Sequence, residues 1–177
     1  MRFLYFVVAL AAGAIIAGLA RHRIFLHKRL RHLNRVLAAI RNVNQLITHE
    51  RDKSVLLSEA CRMLTETGGF KNSWIVLLLG DRPGEYFYSG FNQHFSPMAR
   101  SLEEGEIPFC AWEAMQSNGL HVVETPEKEC SGCPLSGKYA GISALIMPLK
   151  YEKRVFGWLC AGVPRELVRD REEQTLF

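Results

Sequence analysis

Two cysteines stand three positions apart in a turn-forming stretch, Cys130-Ser-Gly-Cys133-Pro. Glycine and proline favour a tight turn, so the two sulfurs are expected close to each other and to solvent. Thiolates in that arrangement bind soft metals, exchange disulfides or close over a ligand, and cysteines can also pack as small apolar side chains. The stretch predicts a thiol site, and its spacing leaves the chemistry open.

A third cysteine, Cys110, follows Pro108 at the predicted start of a helix. Free N–H groups in a first helical turn favour an anion, which predicts a lowered pKa for the Cys110 thiol. Cys110, Cys130 and Cys133 are the predicted metal ligands, with zinc or an iron–sulfur cluster as candidate cofactor and His121 or water completing a zinc site. A redox switch formed by the same three thiols is the alternative.

The total of five cysteines does not suggest a secreted disulfide framework, because the number is odd for a chain of 177 residues. A reducing cytoplasm suits them better. Cys61 lies on the apolar face of a predicted helix, Val55–Leu64, and is expected in the core.

The net charge of +4 is distributed unevenly along the chain. Residues 1–53 hold ten Lys/Arg and two Asp/Glu, a charge of +8, while residues 54–177 hold twelve Lys/Arg and sixteen Asp/Glu, a charge of −4. A nucleic-acid-binding domain would carry its basic patch on the folded part, so this class is not expected. A basic arm beside anionic lipid headgroups fits the distribution.

An unbroken apolar run of eighteen residues extends from Phe3 to Ala20. Its length suits a membrane-spanning helix and exceeds the core of a cleaved signal peptide. Seven Lys, Arg or His residues follow it by position 31, whereas only Arg2 precedes it. The positive-inside rule predicts a single-pass anchor in the cytoplasmic (inner) membrane, with the rest of the chain in the cytoplasm.

Seven positions after the run recur at alternating steps of four and three, and all but one are apolar: Leu26, Leu30, Leu33, Leu37, Ile40, Asn44 and Ile47. This heptad spacing predicts a parallel coiled-coil dimer, with an amphipathic helix that packs on its own domain as the alternative. Asn44 falls on the seam, where a polar residue lowers stability but fixes register and oligomeric state.

The remaining sequence alternates helical and extended patterns. Predicted helices cover residues 55–64, 97–103 and 109–116 and a last helix from Pro164 with Asp170 as its cap, and predicted strands cover residues 73–79, 85–89, 120–124, 144–149 and 154–163. The order predicts an α+β domain with an antiparallel sheet and helices on one face.

Several pieces of this pattern occur together over residues 36–177. They are Leu37–Ile40 with Asn44–Ile47, Leu56-Leu57 with Ala60-Cys61, Ser73–Val76, Pro108–Cys110, Cys130–Leu135 with Tyr139, Met147–Leu149, Val155–Leu159, and Glu172-Glu173 with Leu176-Phe177. On these residues the chain resembles a GAF domain of the kind found in membrane-attached bacterial sensor histidine kinases. The cysteine set beside Gly157 and the Glu172-Glu173 pair is the most specific part.

The resemblance implies a GAF/PAS-like antiparallel sheet flanked by helices, preceded by a transmembrane helix and a coiled-coil-like linker helix. It also implies a ligand pocket between the sheet and the intervening helix and loops. The lining residues expected from it are Phe109, Trp112, Met115, Tyr139, Tyr86 and Trp158. The expected domains are an anchor over residues 1–25, a signalling helix over residues 26–50 and a GAF domain over residues 51–177.

The function expected from the resemblance is that of a homodimeric, membrane-anchored sensor. It would detect a small molecule, a metal or a redox state and signal to an output module such as the histidine kinase of a two-component system. The chain holds no phosphoacceptor histidine box or ATP-binding glycine motif, so the output module is expected after the last helix. A thiol enzyme of the free methionine sulfoxide reductase type and a ligand-free dimerisation module are the alternatives.

Overall fold

A computed structural model of the chain describes residues 2–67, 69–117 and 119–168, without the side chains of residues 2–15, 17, 25, 29 and 167. The helices are α1 (Arg2–His49), α2 (Lys53–Glu66), α3 (Ser96–Glu103), α4 (Phe109–Ser117), α5 (Pro126–Glu129) and α6 (Arg165–Val168). The strands are β1 (Asn72–Leu79), β2 (Arg82–Ser89), β3 (His121–Val123), β4 (Ile142–Tyr151) and β5 (Arg154–Pro164). Two single 3₁₀ turns, Asn92–Phe95 and Ser136–Lys138, complete the regular structure described.

The chain divides into two compact units, residues 1–34 and 35–177. The first unit is helical over residues 2–34, and the last part of α1, residues 35–49, belongs to the second unit. Among the residues that the structure describes, no helix combines the length and hydropathy required to cross a bilayer. Most of the predicted membrane-spanning run, residues 3–15, lies outside the residues whose side chains are described.

The five strands of the second unit form one antiparallel sheet in the order β2-β1-β5-β4-β3. This arrangement confirms the predicted α+β class and the antiparallel sheet. The three central strands carry long apolar runs, because each of them is covered on both faces and has no solvent-facing side to fill with polar residues. In β1, for example, the residues from Asn72 to Val76 are all buried.

Helices cover both faces of the sheet, so the expectation of helices on one face was wrong. On one face, Val36 and Ala39 of α1 pack with Leu145 and Ala161 of the sheet. On the other face, helices α3 and α4 pack on Trp74 and Trp158, among other residues. The reason is that alternate residues of β1 and β5 are apolar on both sides, and each apolar side needs a covering layer.

Helix α2 begins one residue after Asp52, whose carboxylate accepts hydrogen bonds from the backbone N–H groups of Ser54 and Val55. Such a cap satisfies N–H groups that have no partner inside the helix. Cys61 of this helix is fully buried, which confirms its predicted place in the core, and its thiol donates to the carbonyl of Phe87 at 3.6 Å.

The last described helix, α6, begins directly after β5 at Arg165. Arg165 Nε donates to the carbonyl oxygen of Glu124 at 2.9 Å, and its guanidinium forms an ion pair with Glu127 at 2.5 Å. The predicted cap Asp170 and the remainder of the predicted last helix lie outside the described residues.

Candidate functional site

The two cysteines of the turn are presented by a short helix and a tightly bonded loop. Helix α5 ends where the Cys130 backbone N–H donates to the Pro126 carbonyl at 3.0 Å. The Cys133 N–H then donates to the Cys130 carbonyl at 3.1 Å, and Gly132 occupies the left-handed region with φ 86°. The side chain of Leu135, which is only 1% exposed, anchors the loop in the hydrophobic core. The backbone at both cysteines is therefore held in place by hydrogen bonds.

Cys110 approaches this loop from the first turn of α4. The helix begins after Pro108, whose carbonyl accepts the backbone N–H groups of Ala111 and Trp112. Cys110 is half-buried, and it lines the same pocket as Cys130 and Cys133. The fold thus brings together two sulfurs that are twenty positions apart in the sequence.

A fourth sulfur, that of Cys160 on β5, lies beneath these three. The four cysteines line a small cavity of about 20 Å³, called the thiol cavity below. Its lining is Trp74, Cys110, Pro126, Cys130, Cys133, Leu135, Ser136, Tyr139, Ala144 and Cys160. The hydroxyl of Tyr139 lies 3.6 Å from the Cys160 sulfur. Strand alternation could have indicated Cys160 from sequence, because it shares the Trp158 face of β5.

Above the thiol cavity lies an open pocket of about 490 Å³, called the surface pocket below. It is lined by Met98, Ser101, Glu106, Ile107, Pro108, Phe109, Cys110, Glu129, Cys130, Ser131, Gly132, Cys133 and Pro134. Cys110, Cys130 and Cys133 line both spaces. These three thiols therefore lie where the surface pocket and the thiol cavity adjoin.

The thiols of the site differ in acidity. The hydrogen bond to Cys130, together with burial, raises the pKa of Cys110, and the same bond lowers the pKa of Cys130. Burial raises the pKa of Cys133, and it raises that of Cys160 to about 12. The predicted low pKa of Cys110 was wrong, because donation to a neighbouring sulfur requires the protonated form and outweighs the helix N-terminus. The acidified thiol is Cys130.

The six residues predicted to line a ligand pocket lie in three different environments. Phe109 is 73% exposed at the surface pocket and stacks on the exposed Trp112. Tyr139 faces the thiol cavity. The other three, Met115, Tyr86 and Trp158, pack in or against the core on the same face of the sheet. The structure thus brings Phe109 and Tyr139 to the cysteines and places the other four elsewhere.

The proposed fourth metal ligand, His121, is half-buried on β3 opposite Ile146. Its imidazole is one of the groups that help to lower the pKa of Glu129, where the largest contribution is the hydrogen bond from the Thr125 hydroxyl. Among the residues that the structure describes, no three Cys, His, Asp or Glu side chains are arranged to hold a metal ion. The zinc or cluster site stays a prediction.

No protein-family model and no curated protein matches the sequence. Solved structures do resemble the fold. The nlh2 GAF domain of A. aeolicus, in an inactive state, superimposes with a TM-score of 0.63 and 11% identity, over 82% of this chain and 91% of that one. The GAF domain of an Acinetobacter phosphoenolpyruvate-protein phosphotransferase gives 0.56 and 18%, over 72% and 76%. The chain has a GAF fold.

A GAF-fold enzyme is also among these structures. The free methionine-R-sulfoxide reductase of Neisseria meningitidis, in complex with its substrate, gives a TM-score of 0.57 and 17% identity, over 76% of each chain. At these identities the likeness concerns the fold alone. The chemistry of this chain depends on its own thiol site.

Proposed function

We propose that this chain is a sensory GAF domain that responds to oxidants through a disulfide between Cys130 and Cys110. The observation that carries the proposal is that Cys110 and Cys130 line both the surface pocket and the thiol cavity. A disulfide requires two cysteines in contact, and an oxidant requires access to one of them. The surface pocket supplies the access, and the joining of α4 to the Cys130 loop supplies a change of state.

The oxidant class that we assign to the reaction is a hydroperoxide. The Cys130 thiolate attacks one peroxide oxygen, the O–O bond breaks, and the leaving oxygen departs as water or an alcohol after taking up a proton. Cys130 becomes a sulfenic acid. The Cys110 thiol then attacks the Cys130 sulfur, forms the disulfide and releases water. Two electrons pass from the two thiols to the peroxide, and a dithiol reductant reverses the change.

The proposal is tested by treating the whole chain with hydrogen peroxide and mapping disulfides by mass spectrometry, with metal analysis of the untreated protein as the second measurement. A Cys110–Cys130 disulfide that dithiothreitol removes is the expected result. A metal ion bound in stoichiometric amount, with no disulfide formed, would instead support the zinc or cluster prediction.

The second candidate is a thiol enzyme acting on free methionine sulfoxide, since a reductase of that substrate shares the fold. The same three thiols at an open pocket could in principle supply its chemistry. Incubation of the reduced chain with free methionine sulfoxide separates the two candidates. Continuous formation of methionine with dithiothreitol present would make the chain an enzyme, whereas the sensor proposal expects no turnover.

A sensor must pass its state onward, and the proposed route runs through β5. Cys160 on this strand faces the thiol cavity, and the next residue, Ala161, faces the last part of α1 on the opposite side of the sheet. A shift of the Cys130 loop can thus reach the helix through one strand. The proposed output, reached through this helix or the chain after α6, is a histidine kinase or similar module.

The apolar run of residues 3–20 and the basic residues that follow it support a proposed anchor in the cytoplasmic membrane. We expect the whole chain to sediment with membranes and to resist carbonate extraction. Deletion of residues 1–25 is expected to release the GAF domain, because it removes the spanning run. Labelling of a cysteine introduced at the exposed Lys138, in a variant in which the five natural cysteines are replaced, reports the side of the membrane. Labelling from the periplasm would contradict the proposed topology.

A stripe along α1 supports a proposed homodimer. Four of the seven seam residues have large exposed apolar side chains: Leu26 (40%), Leu30 (56%), Leu37 (49%) and Ile47 (57%). The seam residue Ile40 packs with Val36 and Ala39 on the sheet, and Ile40, Asn44 and Ile47 line an apolar groove together with residues of α2 and the sheet. The last part of the seam therefore faces the domain, and the exposed side chains of Leu26, Leu30 and Leu37 support the proposed contact with a second copy.

Replacing Asn44 with leucine is expected to raise Tm and to loosen the choice of oligomer, because an apolar seam residue packs better but no longer selects a register. A gain of about 1 kcal/mol corresponds to roughly 2–4 °C for a domain of this size. Analytical ultracentrifugation of residues 26–177 measures the oligomer. Gln45→Leu, which adds the same side chain beside the stripe, is the control, and a strictly monomeric domain at high concentration would contradict the dimer.

A further inference from the structure

The thiol cavity contains a polar group that lacks a well-formed hydrogen bond. Trp74 is only 2% exposed and lines the cavity, and its indole Nε1 has no well-formed hydrogen bond, because the groups it interacts with are the Tyr139 hydroxyl and the weakly accepting Cys160 sulfur. The Tyr139 hydroxyl lies at the same cavity, within 3.6 Å of the Cys160 sulfur. A buried N–H whose partners include a weak sulfur acceptor gains from a stronger oxygen acceptor, so the group marks a place for a small polar ligand.

The size of the cavity restricts that ligand. Its volume of about 20 Å³ is little more than the 10–15 Å³ that one water molecule needs. Only a molecule of one or two heavy atoms fits, or the end of a larger molecule that remains in the surface pocket. Since Cys130 borders both spaces, a ligand lying across the boundary places one atom against this sulfur and the next atom inside the cavity.

We propose that the oxidant of this site is hydrogen peroxide itself, bound with one oxygen at the Cys130 sulfur and the other in the thiol cavity, where Trp74 Nε1–H and the Tyr139 hydroxyl bind it. The inference rests on the proposed redox function and names its substrate. The cavity oxygen is the one that leaves, so both groups meet the negative charge that develops when the O–O bond breaks.

The reaction balances with the groups present. The Cys130 thiolate forms a bond to the first oxygen, and the O–O electron pair moves to the cavity oxygen, which takes the Tyr139 hydroxyl proton and leaves as water. Tyr139 regains a proton from solvent. In an alkyl hydroperoxide the leaving oxygen carries the carbon group, and a tert-butyl group cannot enter a cavity of about 20 Å³. The site therefore selects the smaller oxidant.

The test compares the rates at which hydrogen peroxide and tert-butyl hydroperoxide oxidise Cys130 in the whole chain, followed by trapping with dimedone. The ratio of the two rates is divided by the same ratio for the urea-unfolded chain, which removes the intrinsic difference between the reagents. The normalised ratio is expected to favour hydrogen peroxide by at least about 10-fold, and this comparison needs no variant.

Two variants examine the cavity groups. Tyr139→Phe is expected to slow oxidation by hydrogen peroxide roughly 100-fold, the lower range for loss of a positioned proton donor, without changing alkylation of Cys130 by iodoacetamide. Ala144→Val, which fills the cavity, should act in the same direction, and Tyr88→Phe is the matched control. A variant that slows both reactions equally would indicate a structural effect and contradict the proposed role.

The outcomes separate the inference from the function on which it rests. A normalised ratio near one, with the Cys110–Cys130 disulfide formed by both reagents, would overturn the selection of hydrogen peroxide and leave the redox switch standing. Absence of this disulfide with either reagent would overturn both.

Discussion

Replacing Cys130 with serine is expected to abolish the disulfide formed on treatment with hydrogen peroxide, because this residue supplies the attacking sulfur. Replacing Cys110 with serine has a different expected result: Cys130 is still oxidised, but it accumulates as a sulfenic acid that dimedone traps. The difference follows from the proposed roles, since Cys110 lines the same pocket and the same cavity as the oxidised sulfur and reaches them from a separate helix.

Cys133→Ser is the matched control for these variants, because Cys133 lies in the same loop and borders the same two spaces. It is expected to leave the Cys110–Cys130 disulfide in place. The measurement is peptide mapping of the oxidised protein, with circular dichroism to show that each variant folds. A disulfide that joins Cys130 to Cys133 in the unmodified chain would assign the switch to the loop alone and remove Cys110 from it.

The strands of the fold were predictable because their apolar runs are long and bounded by turn residues. Residues 73–79 and 154–163 were predicted as strands, and the structure extends them only to Asn72–Leu79 and Arg154–Pro164. The number of helical layers was predicted wrongly. A run that is apolar at every position does not say which of its two faces meets which helix, and that information lies in tertiary contacts.

Cys130 and Cys133 could be assigned to the site from the sequence, whereas the buried residues Cys160 and Trp74 could not. The turn residues between Cys130 and Cys133 have a local preference that sequence displays directly. Cys160 and Trp74 enter the site through the register of β1 against β5, where these two residues stand opposite each other. Register across a sheet is set by the packing of the whole domain, and therefore one sequence does not show it.

The pKa of Cys110 shows the same limit in energetic terms. The field of a helix N-terminus is local and is worth about 0.3–1 kcal/mol at an exposed position, so it could be anticipated from Pro108 and the helical pattern. Burial and the hydrogen bond to Cys130 come from the fold and act in the opposite direction. A long-range contact between two sulfurs thus reversed an effect that the local sequence predicts correctly.

Gly157 is the residue at which a single methyl group is expected to have the largest effect on stability. It lies in the middle of the sheet, where it pairs with Leu77 of β1 on one side and Leu149 of β4 on the other. Its φ is +153°, a conformation that L side chains rarely adopt. A Cβ atom there would lie 1.9 Å from the backbone carbonyl oxygen of Val76. A glycine inside a strand pattern commonly marks such a close approach.

Gly157→Ala is therefore expected to destabilise the domain by about 4 kcal/mol or more, because the contact can be relieved only by moving β1 and β5 apart. Urea unfolding of residues 26–177 measures the change. Gly137→Ala is the control, since nothing lies within 4 Å of its added Cβ, and its effect should stay within about 0.5 kcal/mol.

The residue after Gly157, Trp158, packs edge-on against Trp74, which lines the thiol cavity. A partly folded Gly157 variant should therefore also lose its preference for hydrogen peroxide. A variant as stable as the unmodified domain would show that the spacing of the two strands does not depend on this glycine.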